Sequence, residues 1–316
     1  MNILIFGKDG QLGKAFQKLL STNPHSGINI EYVGRDQCNL INPIAIYELL
    51  HHSRPNLIIN AAAYTAVDKA EEEQQMAFAI NAKAPEIMAL YAVEHGATFL
   101  HYSTDYVFDG NKEDFYVEDD LRNPLGIYGK SKAAGEDAIE TVFAGATQGQ
   151  YAIFRTSWVY GDGSNFIKTI LRLAKEREEL KVIEDQYGAP TSADWLAQLS
   201  LDLALDHHFQ IREFSSGIYH AVPAGETSWY GLAKMAVQIA TDANFILKTR
   251  AEAIKPILAA EYPLPAPRPK NSRMDTAKLA KAIEQIGDMS KLQHYKRHWT
   301  DEVKTYVTQL IQDKLI

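Results

Sequence analysis

Cysteine is almost absent, and Cys38 is the only one in 316 residues. That excludes an internal disulfide and a multi-cysteine metal site, and the single thiol reads as a packed side chain. Long apolar runs are missing too. None approaches the roughly 20 residues that a bilayer-crossing helix needs, so no membrane insertion is expected. Positive charge is not in excess: the formal net charge is −8. This disfavours a nonspecific nucleic-acid surface while leaving room for a local basic cleft. No basic leader or small-residue cleavage pattern precedes Asn2-Ile3-Leu4-Ile5-Phe6, so the chain reads as cytoplasmic. Low-complexity tracts, long linkers and internal repeats are also lacking. What remains is ordinary for a globular protein, with 46% hydrophobic and 23% charged residues. The length allows one large α/β domain with a smaller lobe, or two modest domains. The acidic groups Glu71-Glu72-Glu73 and Glu176 to Glu179 read as solvated faces.

The first half has the pattern of a nucleotide site. Residues 2–6 form a short apolar strand, followed at once by Gly7-Lys8-Asp9-Gly10-Gln11-Leu12-Gly13 and a helical pattern through Phe16, Leu19 and Leu20. In that context Gly7 takes the tight turn, Gly10 admits a pyrophosphate and Gly13 lets helix and strand pack closely. The helix N-terminus adds free N–H groups and a favourable dipole for phosphate. Further strands are expected at Ile28 to Val33, Leu57 to Ile59, Phe99 to Tyr102 and Tyr151 to Phe154. Ala77 to Val93 has helical periodicity, with Pro85 as a bend or helix start. Such alternation predicts an α/β fold, a Rossmann-type doubly wound parallel sheet with ligands at the strand C-termini. Asn60-Ala61-Ala62-Ala63 either clears space beside a flat ligand or packs helix on sheet. Asn81 holds backbone or bridges a water near the site, or caps a helix.

Reaction chemistry is concentrated in Ser103-Thr104-Asp105-Tyr106 and Tyr128-Gly129-Lys130-Ser131-Lys132. Tyr128 and Lys132 are four apart and share a helix face. A neighbouring ammonium is expected to lower the phenol pKa and let Tyr128 exchange a proton with a carbonyl or alcohol oxygen. Thr104 can bond that same oxygen, and Lys132 can reach cofactor hydroxyls. Alone, a Tyr-x-x-x-Lys pair usually means a surface helix; Thr104 and the glycine loop favour catalysis.

Taken together, GKDGQLG at 7–13, NAAAYTAVDKAE at 60–71, HYSTDYVFDG at 101–110 and PLGIYGKSKAAGE at 124–136 resemble extended short-chain dehydrogenase/reductases. FRTSWVYG at 154–161, DQYGAPT at 185–191 and RPKNSRMDT at 268–276 narrow the resemblance to the dTDP-4-dehydrorhamnose reductase family. The resemblance implies NADPH- or NADH-dependent reduction of the C4 ketone of a dTDP-linked 4-keto-6-deoxy sugar to dTDP-L-rhamnose, with no metal. Thr104, Tyr128 and Lys132 match the catalytic threonine, tyrosine and lysine. Gly7, Gly10, Gln11, Leu12 and Gly13 match the dinucleotide loop. Asp105 orients a sugar hydroxyl or stabilises the strand-end turn, and Trp158 stacks on the ligand or packs in the core. dTDP-glucose 4,6-dehydratases are similar but carry glutamate immediately after the Thr-Asp pair, where this chain has Tyr106. Near the adenine edge, where many relatives are acidic, the chain has Cys38-Asn39-Leu40, and Asn42 also replaces a frequently acidic position. Asn39 can still accept from an adenine amino group.

The domain expectation is a mainly NAD(P)-binding region at 1–157 and a mainly substrate-binding region at 158–316 with segments returning to the sheet. Tyr187-Gly188-Ala189-Pro190-Thr191 suits a cleft wall or an ordinary connection. Trp229 to Ala240 reads as a core helix. Arg268, Lys270 and Arg273 lie on a proline-stiffened segment and can meet a diphosphate, with Ser272 or Arg273 favoured by the family-like context. Helices are expected at Leu279 to Ile286 and Tyr306 to Ile316, and a homodimer is allowed. After the second strand, Arg35 can pair with a 2′-phosphate, whereas Asp36 would favour free hydroxyls, so use of both cofactors is expected. A nucleotide-sugar epimerase and a noncatalytic Rossmann regulatory subunit, like the methionine adenosyltransferase regulator, are the competing readings.

Overall fold

The computed structural model describes residues 1–21, 27–287 and 289–316, without the side chains of residues 289 and 290. Six strands make one parallel sheet: β1 (Asn2–Phe6), β2 (Asn29–Val33), β3 (Leu57–Asn60), β4 (Thr98–Thr104), β5 (Gln150–Thr156) and β6 (Gly217–His220). Their spatial order is β6-β5-β4-β3-β1-β2. The described helices used below are α1 (Gln11–Ser21), α2 (Pro43–Ser53), α3 (Ala84–His95), α4 (Ile127–Phe143), α5 (Phe166–Glu176), α6 (Ala193–Ala204), α7 (Trp229–Asp242), α8 (Ala277–Gln285) and α9 (Trp299–Gln312).

Side-chain alternation sorts the sheet into two faces. In β1, Ile3 and Ile5 join one apolar cluster while Leu4 and Phe6 join another. A sheet apolar on both faces requires helices on both. Phe16 of α1 and Trp195 and Leu196 of α6 cover the first face. Leu50 of α2, Met88 of α3 and Ile139 of α4 cover the second. Cys38 is buried in that second cluster, a packed thiol. A separate apolar cluster joins α5, α7 and α9 around the short parallel pair Leu180–Ile183 and Ile254–Ile257.

The chain order changes direction between β1 and β3, so a crevice opens at their C-terminal ends. Phe6 is level with both Val33 and Asn60, which brings Gly7, Gly34 and Ala61 to one rim. Farther across, Thr104 is level with Thr156.

Several local features differ from the pattern reading. β4 is longer than Phe99 to Tyr102 because Thr98, His101, Ser103 and Thr104 are polar yet buried, which hides a strand from a hydrophobicity pattern. The stretch from residue 77 is interrupted by a π-helical turn at Ala79–Lys83, and Pro85 falls in the first turn of α3. Asn42 caps α2 by accepting from the Ile44 and Ala45 amides, a role that explains its presence without any ligand. Glu71 and Glu73 are not simply solvated: Glu71 accepts from the Ile127 amide at the start of α4, and Glu73 from the Tyr64 hydroxyl. Glu176 to Glu179 are exposed, as expected for a solvated face. Among the described residues, no helix is long and apolar enough to cross a membrane.

Candidate active site

A cavity of about 870 Å³ follows the sheet rim from Gly7 and Arg35 past Ala61–Ala63 to Thr104, Tyr128 and Trp158. Its volume is in the range of a small-molecule or cofactor site. The glycine loop shapes one end. Gly7 has φ 85° and a Cβ there would stand 2.7 Å from the Ala61 carbonyl carbon, while a Cβ on Gly13 would stand 2.1 Å from the Gly7 carbonyl oxygen. Both positions are closed to larger residues. At Gly10, by contrast, an added Cβ would meet only the Gly7 oxygen, at 3.4 Å, and would otherwise take up space on the cavity rim. This cradle at the N-terminus of α1 fits a dinucleotide pyrophosphate, with Gln11 and Leu12 also on the lining.

The end of the cavity beyond β2 is lined by Arg35, Asn39 and Leu40, whereas Asp36 is not among the lining residues. Asn39 uses its side-chain oxygen to accept from the Ile41 amide, an Asx-type turn. Asn81 holds backbone, as one of the expected alternatives had it, and does not cap a helix. It is buried, accepts from the Tyr64 amide and donates to the Tyr64 carbonyl and the Ser131 hydroxyl, tying the π turn to α4.

At the reacting end, Thr104 accepts from the Tyr106 amide and donates to Asp105 at 2.9 Å. Ser272 donates to the other oxygen of that carboxylate. Asp105 is therefore spent on the strand-end turn, linking it to the segment after residue 268. Burial raises its carboxyl to about 6 even though the two hydroxyls pull the other way.

Tyr128 is half-buried on the first turn of α4, edge-on to Tyr106. Its phenol is pushed up to about 12, chiefly by burial and further by Asp105, with Thr104 opposing. The expected lowering by Lys132 is absent. The reason is direction: Lys132 Nζ donates to the Tyr102 carbonyl at 2.5 Å and lies 3.2 Å from His101 Nε2. Burial brings the Lys132 amine down to about 8, only partly opposed by Glu136. A protonated phenol beside Thr104 is the state needed to give a proton to a carbonyl oxygen.

The second half of the chain closes the cavity. Trp158, at φ 50°, stacks on Trp229 with ring centroids 3.8 Å apart, and both line the cavity. Such a backbone conformation is strained for a bulky residue. Trp229 was expected in the core; α7 does bury Leu232, Ala233 and Val237, but its first residue faces the cleft. Gly188 packs against Trp158, where a Cβ would approach its ring to 3.0 Å.

The basic segment is arranged differently from expectation. Arg268 Nη2 donates to both oxygens of Asp68 at 2.9 Å, while Nη1 donates to the Ala266 carbonyl. Arg273 pairs with Glu226, bonds Asn271 and the Glu113 carbonyl, and lies over the rings of Phe115 and Tyr187. Neither Arg268, Lys270, Ser272 nor Arg273 lines the cavity. Residues that do, and that pattern reading passed over, include Asp9, Thr65, Met76, Ile80 and Thr156. Thr156 has a buried hydroxyl with no hydrogen-bond partner among the described residues; its place at the end of an apolar strand, inside the FRTSWVYG motif, was its sequence signal.

The family model described as the RmlD substrate binding domain matches residues 1–311. The dTDP-4-dehydrorhamnose reductase of Escherichia coli K12 is 45% identical over 283 residues, covering 88% of this chain and 90% of that protein. A dTDP-4-dehydrorhamnose reductase crystal structure from Clostridium acetobutylicum is similar at TM-score 0.83 and 34% identity, covering 98% of this chain and 99% of that one. Another, from Bacillus anthracis in complex with NADP, has TM-score 0.80 and 32% identity over 98% and 99% of the two chains. With a family model spanning nearly every residue and relatives this similar over nine-tenths or more of their length, the chain belongs to the dTDP-4-dehydrorhamnose reductase family.

Proposed function

We propose that this protein uses NADPH or NADH to reduce the C4 ketone of dTDP-4-dehydro-L-rhamnose, giving dTDP-L-rhamnose. The observation that carries the reading is one continuous cavity joining the glycine loop to Thr104 and Tyr128. When bound, the reduced nicotinamide supplies the hydride. Gly7, Gly10, Gln11 and Leu12 would hold the pyrophosphate, with Gly13 letting α1 pack against the Gly7 turn, and Ala61–Ala63 leave room for the extended dinucleotide. Tyr128 gives its phenolic proton to the ketone oxygen as the alcohol forms. Thr104, anchored by Asp105, aligns that oxygen. Lys132 holds the nicotinamide ribose, and Trp158 with Trp229 forms an aromatic wall for the sugar nucleotide.

Arg35 on the lining, with Asp36 off it, supports acceptance of the 2′-phosphate of NADPH. The test is to incubate purified protein with the 4-keto sugar nucleotide and each reduced cofactor and to identify the product. One alcohol product per cofactor oxidised is expected. Conversion without net cofactor oxidation would replace reduction by epimerisation, and no conversion would favour a binding or regulatory protein.

A further inference from the structure

Lys132 ends a buried polar chain whose other members the reaction does not use directly. Asn60 at the end of β3, His101 in β4 and Lys132 on α4 are each only 1% exposed. Asn60 Nδ2 is 3.1 Å from His101 Nδ1, and His101 Nε2 is 3.2 Å from Lys132 Nζ. At the other end, Asn60 Oδ1 accepts from the Ala62 amide, in the wall of the cofactor cleft. The chain thus runs from a lysine on the cavity lining to the strip of small residues Ala61–Ala63 on the same lining.

The hydrogen count along this chain is restrictive. Because Asn60 Oδ1 takes the Ala62 N–H, its Nδ2 must be the donor toward His101. Nδ1 of His101 is then the acceptor, which places the ring hydrogen on Nε2, aimed at Lys132. A neutral lysine amine accepts that hydrogen while donating to the Tyr102 carbonyl. An ammonium has no lone pair and would set donor against donor. To accommodate it, the imidazole must carry its hydrogen on Nδ1, Asn60 must turn its oxygen toward the ring, and the Ala62 N–H loses its acceptor. Asn60, His101 and Lys132 are buried, so a donor-against-donor mismatch among them is not relieved by water.

We propose that His101 is a positioning residue whose tautomer couples the charge of Lys132 to the Asn60–Ala62 wall of the cofactor cleft. This rests on the reading of Lys132 as part of the reductase site. Proton uptake by Lys132 moves the imidazole hydrogen from Nε2 to Nδ1 with no change in the charge of the ring. Loss of that proton reverses both changes and restores the Ala62 bond. His101 stays neutral throughout, since burial and then Lys132 hold its pKa well below the usual histidine value. The groups bearing on Lys132 are few. On α4 it is Glu136, itself tied to Arg155 from β5 and to Arg122. The turn after β4 brings Asp105 beside Tyr128, while β3 contributes the neutral Asn60.

The test reads the imidazole itself, independently of turnover, by nitrogen NMR of protein labelled with ¹⁵N-histidine. The His101 signals are assigned by their loss in His101→Gln or, should that variant not fold, by the loss of their pH response in Lys132→Met. The account expects the Nε2–H form at pH 9.5 and a change to Nδ1–H as pH falls through about 8, where burial places Lys132. Asn60→Asp, which offers only acceptors, should hold His101 as Nδ1–H across the range. A His101 tautomer that stays the same from pH 6.5 to 9.5 in the native protein would overturn the proposal. So would Nδ1–H already present at pH 9.5. A protein that shows the expected switch but reduces no sugar would retain the coupling and lose the reductase reading instead.

Discussion

The two walls of the cleft are built in different ways. The proposed dinucleotide wall is backbone: Gly7 and Gly10 at one strand end with Gly13 packed behind them, and Ala61–Ala63 at the next. The sugar wall is side chain: Tyr128 beside Thr104, Trp158 stacked on Trp229, and Asp105 clamped by Thr104 and Ser272. A backbone wall tolerates almost no added atom but depends little on charge. A side-chain wall tolerates changes of volume and depends on where each proton sits.

The largest effect should come from the sugar wall. Tyr128→Phe removes the proton donor without emptying the site, and turnover should fall by roughly 10²–10⁴-fold with cofactor affinity nearly intact. Stopped-flow binding and steady-state rates separate the two; near-native turnover would remove Tyr128 from its role. Next comes the dinucleotide wall, where Gly13→Ala inserts a methyl 2.1 Å from the Gly7 oxygen. Forcing the loop apart should cost at least about 1–3 kcal/mol of stability and weaken cofactor binding. Denaturant melts and a dinucleotide titration check this, and a variant unaffected in both would mean the packing is looser than described.

The walls should also differ in pH response. Asp105 has a folded-state carboxyl raised from 3.8 to about 6. A raised acid favours folding in its protonated form, so its stabilisation is complete below about pH 4 and is lost as pH rises through 6. Relative to Asp105→Asn, the native protein should lose roughly 2 kcal/mol of stability between pH 4.5 and 7.5. Parallel stability–pH curves for the two proteins would contradict the assignment.

Smaller effects distinguish two arginines. Arg35→Ala should lower efficiency with NADPH by roughly tenfold relative to NADH, as expected for one lost charge-assisted contact. Arg268→Ala should change sugar-nucleotide affinity little, because its guanidinium is already committed to Asp68. Comparison of kcat/KM with both cofactors and of KM for the sugar would expose a reversed pattern.

How much of this was legible in the chain follows the same division. The glycine loop, the parallel alternation and the Tyr128/Lys132 spacing are local constraints, readable within a few residues. What stayed hidden depends on partners far along the chain. Arg268 looked like a phosphate ligand because Asp68, 200 positions away, cannot be paired with it by pattern. Glu71 looked solvated because the start of α4 that it caps lies 56 residues on. Lys132 looked like a neighbour of the Tyr128 phenol, since helical spacing fixes a shared face but not the direction of a long side chain. Trp229 opened an apolar helix, and only the tertiary fold brought it onto Trp158.

The central claim is net hydride delivery to the sugar C4, with the proton on its oxygen supplied from Tyr128. The most direct measurement uses reduced cofactor carrying deuterium at both nicotinamide C4 positions and the 4-keto sugar nucleotide as acceptor. The account predicts one deuterium at C4 of the product sugar for each cofactor oxidised, with that incorporation slowed in parallel with turnover in Tyr128→Phe. Product that lacks the label at C4, or forms without cofactor oxidation, would contradict it.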